Sequence, residues 1–175
     1  MPTSTQSVSD KPNLTLTSGN IMKLDNYDRR ILQELQLDGR LSNQELADRI
    51  GLSPSPCLRR VRALEEAGII TGYRALLDAK QLGLNLVAIL SVAMDRHTPE
   101  RFAGFDAAVA AMPEVLECLL LTGRDADYQL QVVVRDMEHY QELLLERITR
   151  IEGVSGVHSS FVLRQVLERT SLPVD

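Results

Sequence analysis

The chain has 175 residues, of which 44% are hydrophobic and 25% charged, and a formal net charge of −5. No apolar run approaches the roughly 18 to 20 residues needed to cross a bilayer, and the first residues lack the charged-then-apolar order of a signal peptide. We therefore expect a cytoplasmic protein without a membrane span. Cys57 and Cys118 are predicted to be reduced packing residues, and the scattered histidines predict neither a metal site nor a cofactor.

The charge is divided unevenly along the chain. Residues 21–78 carry nine basic and nine acidic residues, whereas residues 79–175 carry nine basic and fourteen acidic ones. The acidity therefore belongs to the second half, and the first half has room for a locally positive surface. Three arginines of the first half fall within four residues: Arg59, Arg60 and Arg62.

The first twenty residues differ in composition from the rest. Residues 1–20 are rich in serine and threonine, contain two prolines and show no apolar period, which predicts a disordered tail. The patterned sequence begins beside Met22, and the composition is compatible with translation from either Met1 or Met22. We place the start of the first folded domain at residue 21.

Two short helices are predicted next. Asp25 is placed to cap the first helix, which we expect Gly39 to end. Ser42 caps the second, and Glu45 stands three residues later, which is the spacing of a capping box. Gly51 is predicted to end that helix in a left-handed conformation.

A third helix follows after a tight turn. Ser53 is its predicted cap, Pro54 occupies the first helical position, where a missing N–H costs nothing, and Gly68 ends it. On an ideal helix Leu58, Val61 and Leu64 share one stripe, which we predict to be buried. The run "IITGYRALLD" after it has a turn followed by a strand-like pattern, which fits a small wing or a linking strand.

The face of the third helix away from this stripe predicts DNA binding. Near the helix start it carries small or hydroxylated residues and arginines, with Arg60 at the flank. Small residues allow close approach to the major groove, arginine forks onto guanine, and flanking arginines meet phosphates. The three arginines alone fit an ordinary solvated helix equally well, but the preceding helix and tight turn form a helix-turn-helix. The predicted DNA-binding residues are Ser42, Asn43, Gln44, Ser53, Ser55, Pro56, Arg59, Arg60 and Arg62.

The second half changes period and predicts a β-α-β-β-α-β order, the ferredoxin-like arrangement. Helices begin after Thr98 and after Asp136, and the strands are predicted at residues 84–94, 115–122, 128–135 and 154–163. Both alternating sets of the first strand are apolar, although helices cover one face of such a sheet. We therefore expect the other face to be covered by a second copy, which gives at least a dimer.

The residues also carry a family resemblance. "GLSPSPCLRRV" and "EEAGII.GY.A", followed by "EVLECLLLTG" and "DYQLQVVVRD", are similar to the Lrp/AsnC family of prokaryotic transcription factors. The resemblance covers nearly everything but the tail. It implies an α+β protein with a winged helix-turn-helix at residues 21–74, a linker at 75–83 and a ferredoxin-like effector-binding and oligomerisation domain at 84–170. It further implies dimers and octamers, and an amino-acid effector bound between sensing domains.

The loop "GRDADY" departs from the family pattern Gly-Asp-x-Asp-Tyr by one extra residue and an arginine directly after the glycine. Backbone N–H groups around Gly123 are suited to an α-carboxylate, and Asp127 supplies charge for an α-ammonium. Met137 offers an adaptable apolar wall, and the resemblance associates the position of Ser160 with effector response. The predicted effector-binding residues are Gly123, Asp125, Asp127, Met137 and Ser160, although Gly123 and Asp127 also fit ordinary turn residues.

Two other functions compete with this prediction. An enzyme would need a nucleophile and a base together, and His158 and Ser160 do share one face of the last strand. No carboxylate is aimed at them, so packing is the preferred interpretation and we predict no catalytic activity. The second alternative is an architectural DNA-binding protein that has no effector, and the sequence leaves this alternative open.

Overall fold

The computed structural model describes residues 22–123 and 126–174 of the chain. Among these residues it forms two compact units, one of residues 22–74 with 169–174 and the other of residues 75–168. The predicted disordered tail, residues 1–20, lies outside the described residues. Within the described ranges, no helix has the length and apolar character that a membrane crossing needs.

The first unit begins with two capped helices, α1 (Asn26–Leu37) and α2 (Asn43–Ile50). Asp25 caps α1, as predicted, and forms a capping box with Asp28. The predicted capping box of Ser42 and Glu45 begins α2. Gly51 ends α2 with φ of 74°, a left-handed conformation that glycine adopts without a Cβ penalty.

The third helix, α3 (Pro54–Glu66), follows α2 after three residues and completes a helix-turn-helix. Gly68 lies just beyond its end with φ of 69°, as predicted for a terminating glycine. The buried residues of the three helices form one small apolar core. They are Ile31, Leu32, Leu46, Ala47, Ile50, Cys57 and Leu64.

The run predicted as a wing or linking strand forms no strand. Residues 73–78 form no ladder with any other described residue. Leu76 and Leu77 are 78% and 74% exposed, so neither side chain packs onto a core. A strand needs a partner for its backbone N–H and C=O groups, and strand-like composition alone does not supply one. One 3-10 turn, Lys80–Leu82, then precedes the sheet of the second unit.

The second unit is a four-stranded antiparallel sheet with two helices, in the predicted order. Its elements are β1 (Leu86–Met94), α4 (Pro99–Ala110), β2 (Val115–Leu120), β3 (Tyr128–Val134), α5 (Met137–Glu142) and β4 (Val154–Phe161). The strand order across the sheet is β2-β3-β1-β4, which places β1 and β3 at the centre. The predicted α+β class, a helix-turn-helix followed by a ferredoxin-like unit, is confirmed.

The core of the second unit lies between the helices and one face of the sheet. Its buried residues come from both helices and from the central strands, among them Leu90, Val92, Phe105, Tyr128 and Leu130. After α5 the chain passes through a π turn, Leu143–Arg147, and a 3-10 turn, Ile148–Arg150. Leu143 and Ile148 of this segment are buried, and Leu144 packs against the same core.

The face of the sheet away from the helices is less apolar than the sequence suggested. From β1 it presents Val87, Ile89 and Ala93, as expected. From β3, however, it presents Gln129 and Gln131, because these residues alternate with the buried Tyr128 and Leu130. Ser91 of β1 and Val133 of β3 lie on the same face, so the open face mixes apolar and polar side chains.

Cys57 and Cys118 differ in their surroundings. Cys57 is buried in the core of the first unit, as predicted. Cys118 lies on the edge strand β2 and is exposed. The prediction that both are packing residues therefore holds for Cys57 alone. An edge strand has a neighbour on one side, which leaves its side chains partly open to solvent.

Candidate DNA-binding and effector sites

The outer face of α3 carries exposed polar side chains without internal partners. Ser55, Arg59 and Arg62 are exposed, and no hydrogen bond or ion pair joins them to any other described residue. They border a shallow surface depression of about 340 Å³, together with Leu58 and the last turns of the helix. Two cations beside a serine and small neighbours give this surface the chemistry of a groove-binding helix.

Ser53 lies at the start of α3 but does not cap it in the usual way. Its hydroxyl makes no capping hydrogen bond. Pro56 at the third helical position has no N–H, which removes one of the two donors that a cap side chain can accept from. The Ser53 hydroxyl is thus exposed at a helix N-terminus, where an anion such as a phosphate is stabilised.

Leu58 is not part of the buried stripe of α3, contrary to the sequence prediction. It is 38% exposed and lines the surface depression beside Arg59 and Arg62. The inner face consists instead of Cys57, Arg60, Val61 and Leu64, which follow the helical spacing i, i+3, i+4 and i+7. Val61 and Leu64 face the core as predicted, whereas Cys57 takes the buried place predicted for Leu58.

Arg60 is held by two carboxylates of the first unit. Its Nη1 donates to Asp25 Oδ2 and to Asp28 Oδ1, both at 2.8 Å, and its guanidinium lies 5.4 Å from the centroid of the Tyr27 ring. The hydrogen bonds to Asp28 and Asp25 raise the pKa of Arg60. Asp28 is 4% exposed, so its charge is stabilised by this arginine. The arrangement favours a supporting role for Arg60 rather than the predicted phosphate contact.

The predicted residues at the start of α2 are engaged within the unit. The Ser42 hydroxyl accepts from Glu45 N and lies 2.7 Å from Glu45 Oε2. Asn43 Nδ2 donates to Pro54 O at 2.8 Å, which ties the start of α2 to the start of α3. Gln44 is exposed and bonds Asp48. Of the three, Gln44 is therefore the side chain most readily released to an external partner.

In the second unit Asp127 occupies the end of the β2–β3 loop and is fixed to β1. Its Oδ2 accepts from Met94 N at 2.7 Å, and its Oδ1 lies 2.7 Å from His97 Nε2. Its backbone N–H donates to Val92 O, and its carbonyl accepts from Leu121 N. Both carboxylate oxygens are thus occupied, one by a backbone N–H and one by an imidazole that is 68% exposed.

The sequence analysis missed His97. Its ring stacks on Phe102 at 5.9 Å between centroids, and Phe102 meets the edge of Tyr128 at 5.8 Å. The Tyr128 hydroxyl donates to Asp106 Oδ1 at 2.7 Å, and burial and this carboxylate raise the pKa of Tyr128. The signal lay in the strand pairing: His97 follows β1 and Asp127 precedes β3, and antiparallel neighbours bring these ends together.

The other predicted effector residues lie apart in one copy of the chain. Gly123 is in the same loop as Asp127, and Asp125 falls outside the described residues. Met137 follows the opposite end of β3, whose seven residues span roughly 20 Å. Ser160 pairs with Ile89 and faces away from the helices. Within one copy of the chain, Gly123 and Asp127 therefore share a loop, whereas Met137 and Ser160 lie away from it.

Neither catalytic nor metal-binding chemistry is assembled among the described residues. His158 and Ser160 share the open face of β4, whereas Ser159 points to the helices and bonds the Tyr140 hydroxyl. No three His, Cys, Asp or Glu side chains converge in a way that would hold a metal ion, as far as residues 22–123 and 126–174 show.

Comparisons with known proteins agree for both units. Residues 24–71 match the family model described as winged helix-turn-helix DNA-binding, and residues 87–172 match the Lrp/AsnC ligand binding domain. The leucine-responsive regulatory protein of Salmonella typhimurium is 44% identical over 151 residues, covering 86% of this chain and 92% of that protein. The leucine-responsive regulatory protein of Escherichia coli strain K12 is similar to the same extent.

Solved structures give the same result. A transcriptional regulator of Neisseria meningitidis, solved as a complex with L-Met, has a TM-score of 0.83 at 44% identity and covers 87% of this chain and 98% of its own. An AsnC family regulator of Agrobacterium tumefaciens has a TM-score of 0.81 at 37% identity, with 86% and 97% covered. The chain is a DNA-binding transcription regulator with a ligand-binding domain, not an enzyme, and belongs to the Lrp/AsnC family.

Proposed function

We propose that the outer face of α3 reads DNA sequence, with Arg59 contacting a base edge and Arg62 a phosphate. The observation that carries this assignment is the contrast along one helix: Arg59 and Arg62 are exposed without internal partners, whereas Arg60 is bound to Asp25 and Asp28. Leu58, exposed beside Arg62, is suited to contact a thymine methyl group. The remaining contacts come from Ser42, Asn43, Gln44, Ser53, Ser55 and Pro56.

Binding to a selected operator and to random duplex DNA tests this assignment. An operator is first selected from a random pool, and fluorescence anisotropy then measures the affinity of each variant. Arg59→Ala should cost about 1–3 kcal/mol on the operator and much less on random DNA. Arg62→Ala should weaken both alike and reduce the salt dependence. Equal losses on both DNAs for Arg59→Ala would assign Arg59 to a phosphate instead.

The chain self-associates through the open face of its sheet in this proposal. The supporting observation is that the central strand β1 presents three apolar side chains on this face, those of Val87, Ile89 and Ala93. A two-fold dimer presents two α3 helices, so we expect a roughly palindromic operator with half-sites a helical turn or a multiple apart. Light scattering should show a dimer or an octamer for the parent chain and a smaller species for Ile89→Glu. A monomeric parent chain at micromolar concentration would refute the dimer.

The ligand is an amino acid bound at the loop of Gly123, Asp125 and Asp127. Asp127 Oδ1 is faced by the largely exposed His97, which an α-ammonium group can replace. Because Met137 and Ser160 lie far from this loop in one copy, they contribute from a neighbouring copy. The names of two relatives, a leucine-responsive regulator and a regulator solved with L-Met, support an apolar amino acid.

A thermal-shift screen of single amino acids, beginning with L-leucine and L-methionine, tests the effector. Asp127→Asn keeps an acceptor for Met94 N but removes the charge, so it should abolish the shift while ligand-free DNA affinity stays within about threefold. Glu138→Gln, which changes an exposed carboxylate of the same unit, is the control and should respond like the parent.

Two outcomes would change the assignment. A full response by Asp127→Asn would place the effector site elsewhere. If no amino acid shifts the melting temperature of the parent chain, the protein acts as an architectural DNA-binding protein without an effector.

A further inference from the structure

Residues 169–174 return to the first unit after the chain has completed the sheet. Leu172 N donates to Gln36 Oε1 at 2.6 Å, and Gln36 Nε2 donates back to Leu172 O at 3.1 Å. One turn earlier on α1, Gln33 Nε2 donates to Val174 O at 3.1 Å. Gln33 and Gln36 are three residues apart and therefore project from the same side of the helix.

These contacts recognise the backbone of the segment rather than its side chains. The reciprocal pair between Gln36 and Leu172 resembles one rung of a strand ladder, with the glutamine amide in place of a peptide group. The Leu172 side chain is 76% exposed. Val174 supplies the apolar anchor, because it is half-buried against the core of the three helices. The surface of α1 around Gln33 and Gln36 is thus shaped for an extended peptide.

We propose that this surface is a docking site for residues 169–174 of the same chain, and that docking transmits ligand occupancy in the second unit to the DNA-binding unit. The chain connects the two units twice, once after Arg74 and once before Arg169. A short segment held by a few exposed hydrogen bonds opens more readily than a packed helix, so its docking is easily shifted by events in the unit that it leaves. The transmission rests on the proposed amino-acid effector, whereas the docking does not.

Hydrogen exchange at the Leu172 amide measures docking directly in the full-length chain. Gln36→Ala should lower the protection factor of this amide by roughly fivefold or more, because it loses its acceptor. Two controls should leave it within about twofold: Leu172→Ala, which preserves the backbone groups, and Gln44→Ala, which removes a glutamine bonded to Asp48 on α2. Unchanged protection in Gln36→Ala, or an equal loss in Gln44→Ala, would overturn the docking site.

The same experiment identifies which copy supplies the segment. We expect the protection of the Leu172 amide to be independent of protein concentration. Protection that rises with concentration would assign the segment to a neighbouring copy and overturn docking within one chain.

The transmission is tested by measuring DNA affinity with and without L-leucine or L-methionine. In Gln36→Ala the ratio of the two affinities should move towards one, while the midpoint of the amino-acid titration stays within about twofold of the parent. A full response in Gln36→Ala would overturn the transmission and leave the proposed effector standing. If the parent responds to neither amino acid, the effector proposal and the transmission fail together. Hydrogen exchange at the Leu172 amide still tests the docking by itself.

Discussion

The charged side chains on the outer face of α3 have no internal partners among the described residues, whereas the carboxylate at the loop end of the sheet is already bound within the unit. On α3, Arg59 and Arg62 are exposed and make no hydrogen bond or ion pair with any other described residue. At the end of β3, both oxygens of Asp127 are already bound, by Met94 N and by His97. A polyanion such as DNA attracts cations that are free, whereas a small ligand at the sheet has to exchange with an internal partner.

The difference teaches that a charged residue is assigned a role by its partners rather than by its type. Arg60 lies between Arg59 and Arg62 in sequence. Like Asp127, however, it has internal partners, because two carboxylates form ion pairs with it. Removing a residue that has internal partners should lower stability, and removing one without them should change binding alone. This distinction separates stability from affinity at each position.

The largest effect is expected from Arg60→Ala. It should lower the free energy of unfolding of the first unit by about 1.5–3 kcal/mol, because Asp28 is left buried without its cation. Arg62→Ala, two residues away and exposed, should stay within about 0.5 kcal/mol of the parent. Urea unfolding followed by helical circular dichroism measures both. Equal stability of the two variants would remove the distinction between the faces of α3.

The next effect concerns Asp127. Asp127→Ala should lower the free energy of unfolding of the second unit by about 1–2 kcal/mol, because Met94 N loses its charged acceptor. Asp127→Asn keeps an acceptor and should lose less than half as much. Thermal unfolding in the absence of amino acids compares the two. If both variants match the parent, the carboxylate is as free as the arginines of α3, and the contrast between the regions disappears.

A smaller effect separates the two cap serines. Ser42→Ala should lower stability by about 1 kcal/mol, because its hydroxyl accepts from Glu45 N. Ser53→Ala should change stability by no more than a few tenths of a kcal/mol, because its hydroxyl makes no capping bond. Operator affinity should instead fall in Ser53→Ala. Chemical denaturation and anisotropy together test this pair, and a larger stability loss in Ser53→Ala would contradict the assignment.

The smallest effect is a pH dependence at α2. The Ser42 hydroxyl and then the Ser42 backbone N–H lower the pKa of Glu45 below its ordinary value of 4.5. Because the folded pKa is the lower one, the stabilisation is present above the ordinary pKa and is lost as pH falls through the folded pKa. The stability difference between parent and Ser42→Ala should therefore be full above the ordinary pKa of 4.5 and shrink as pH falls below it. A difference that grows on acidification would show that Glu45 is not the group involved.

Much of the fold could be predicted because its signals are local. Capping residues lie within three positions of the N–H groups that they accept from, and Gly51 and Gly68 mark helix ends by their own conformational freedom. The alternation of β1 and β3 likewise follows from a two-residue period. The sites were less predictable. Arg60 was placed at the flank of the DNA-binding face, and Leu58 was placed in the core, because periodicity does not show which neighbours are present.

The sequence by itself determined three helices with the spacing of a helix-turn-helix, the β-α-β-β-α-β order, and the cluster of arginines on one helix. Each depends on residues a few positions apart, whose propensities and hydrogen bonds are written in the chain. Tertiary structure alone decided that Asp25, 35 residues before Arg60, holds this arginine, and that Met94, 33 residues before Asp127, binds the carboxylate. These partners meet only when separate elements pack, because the pairing of distant charges depends on geometry that local periodicity does not contain.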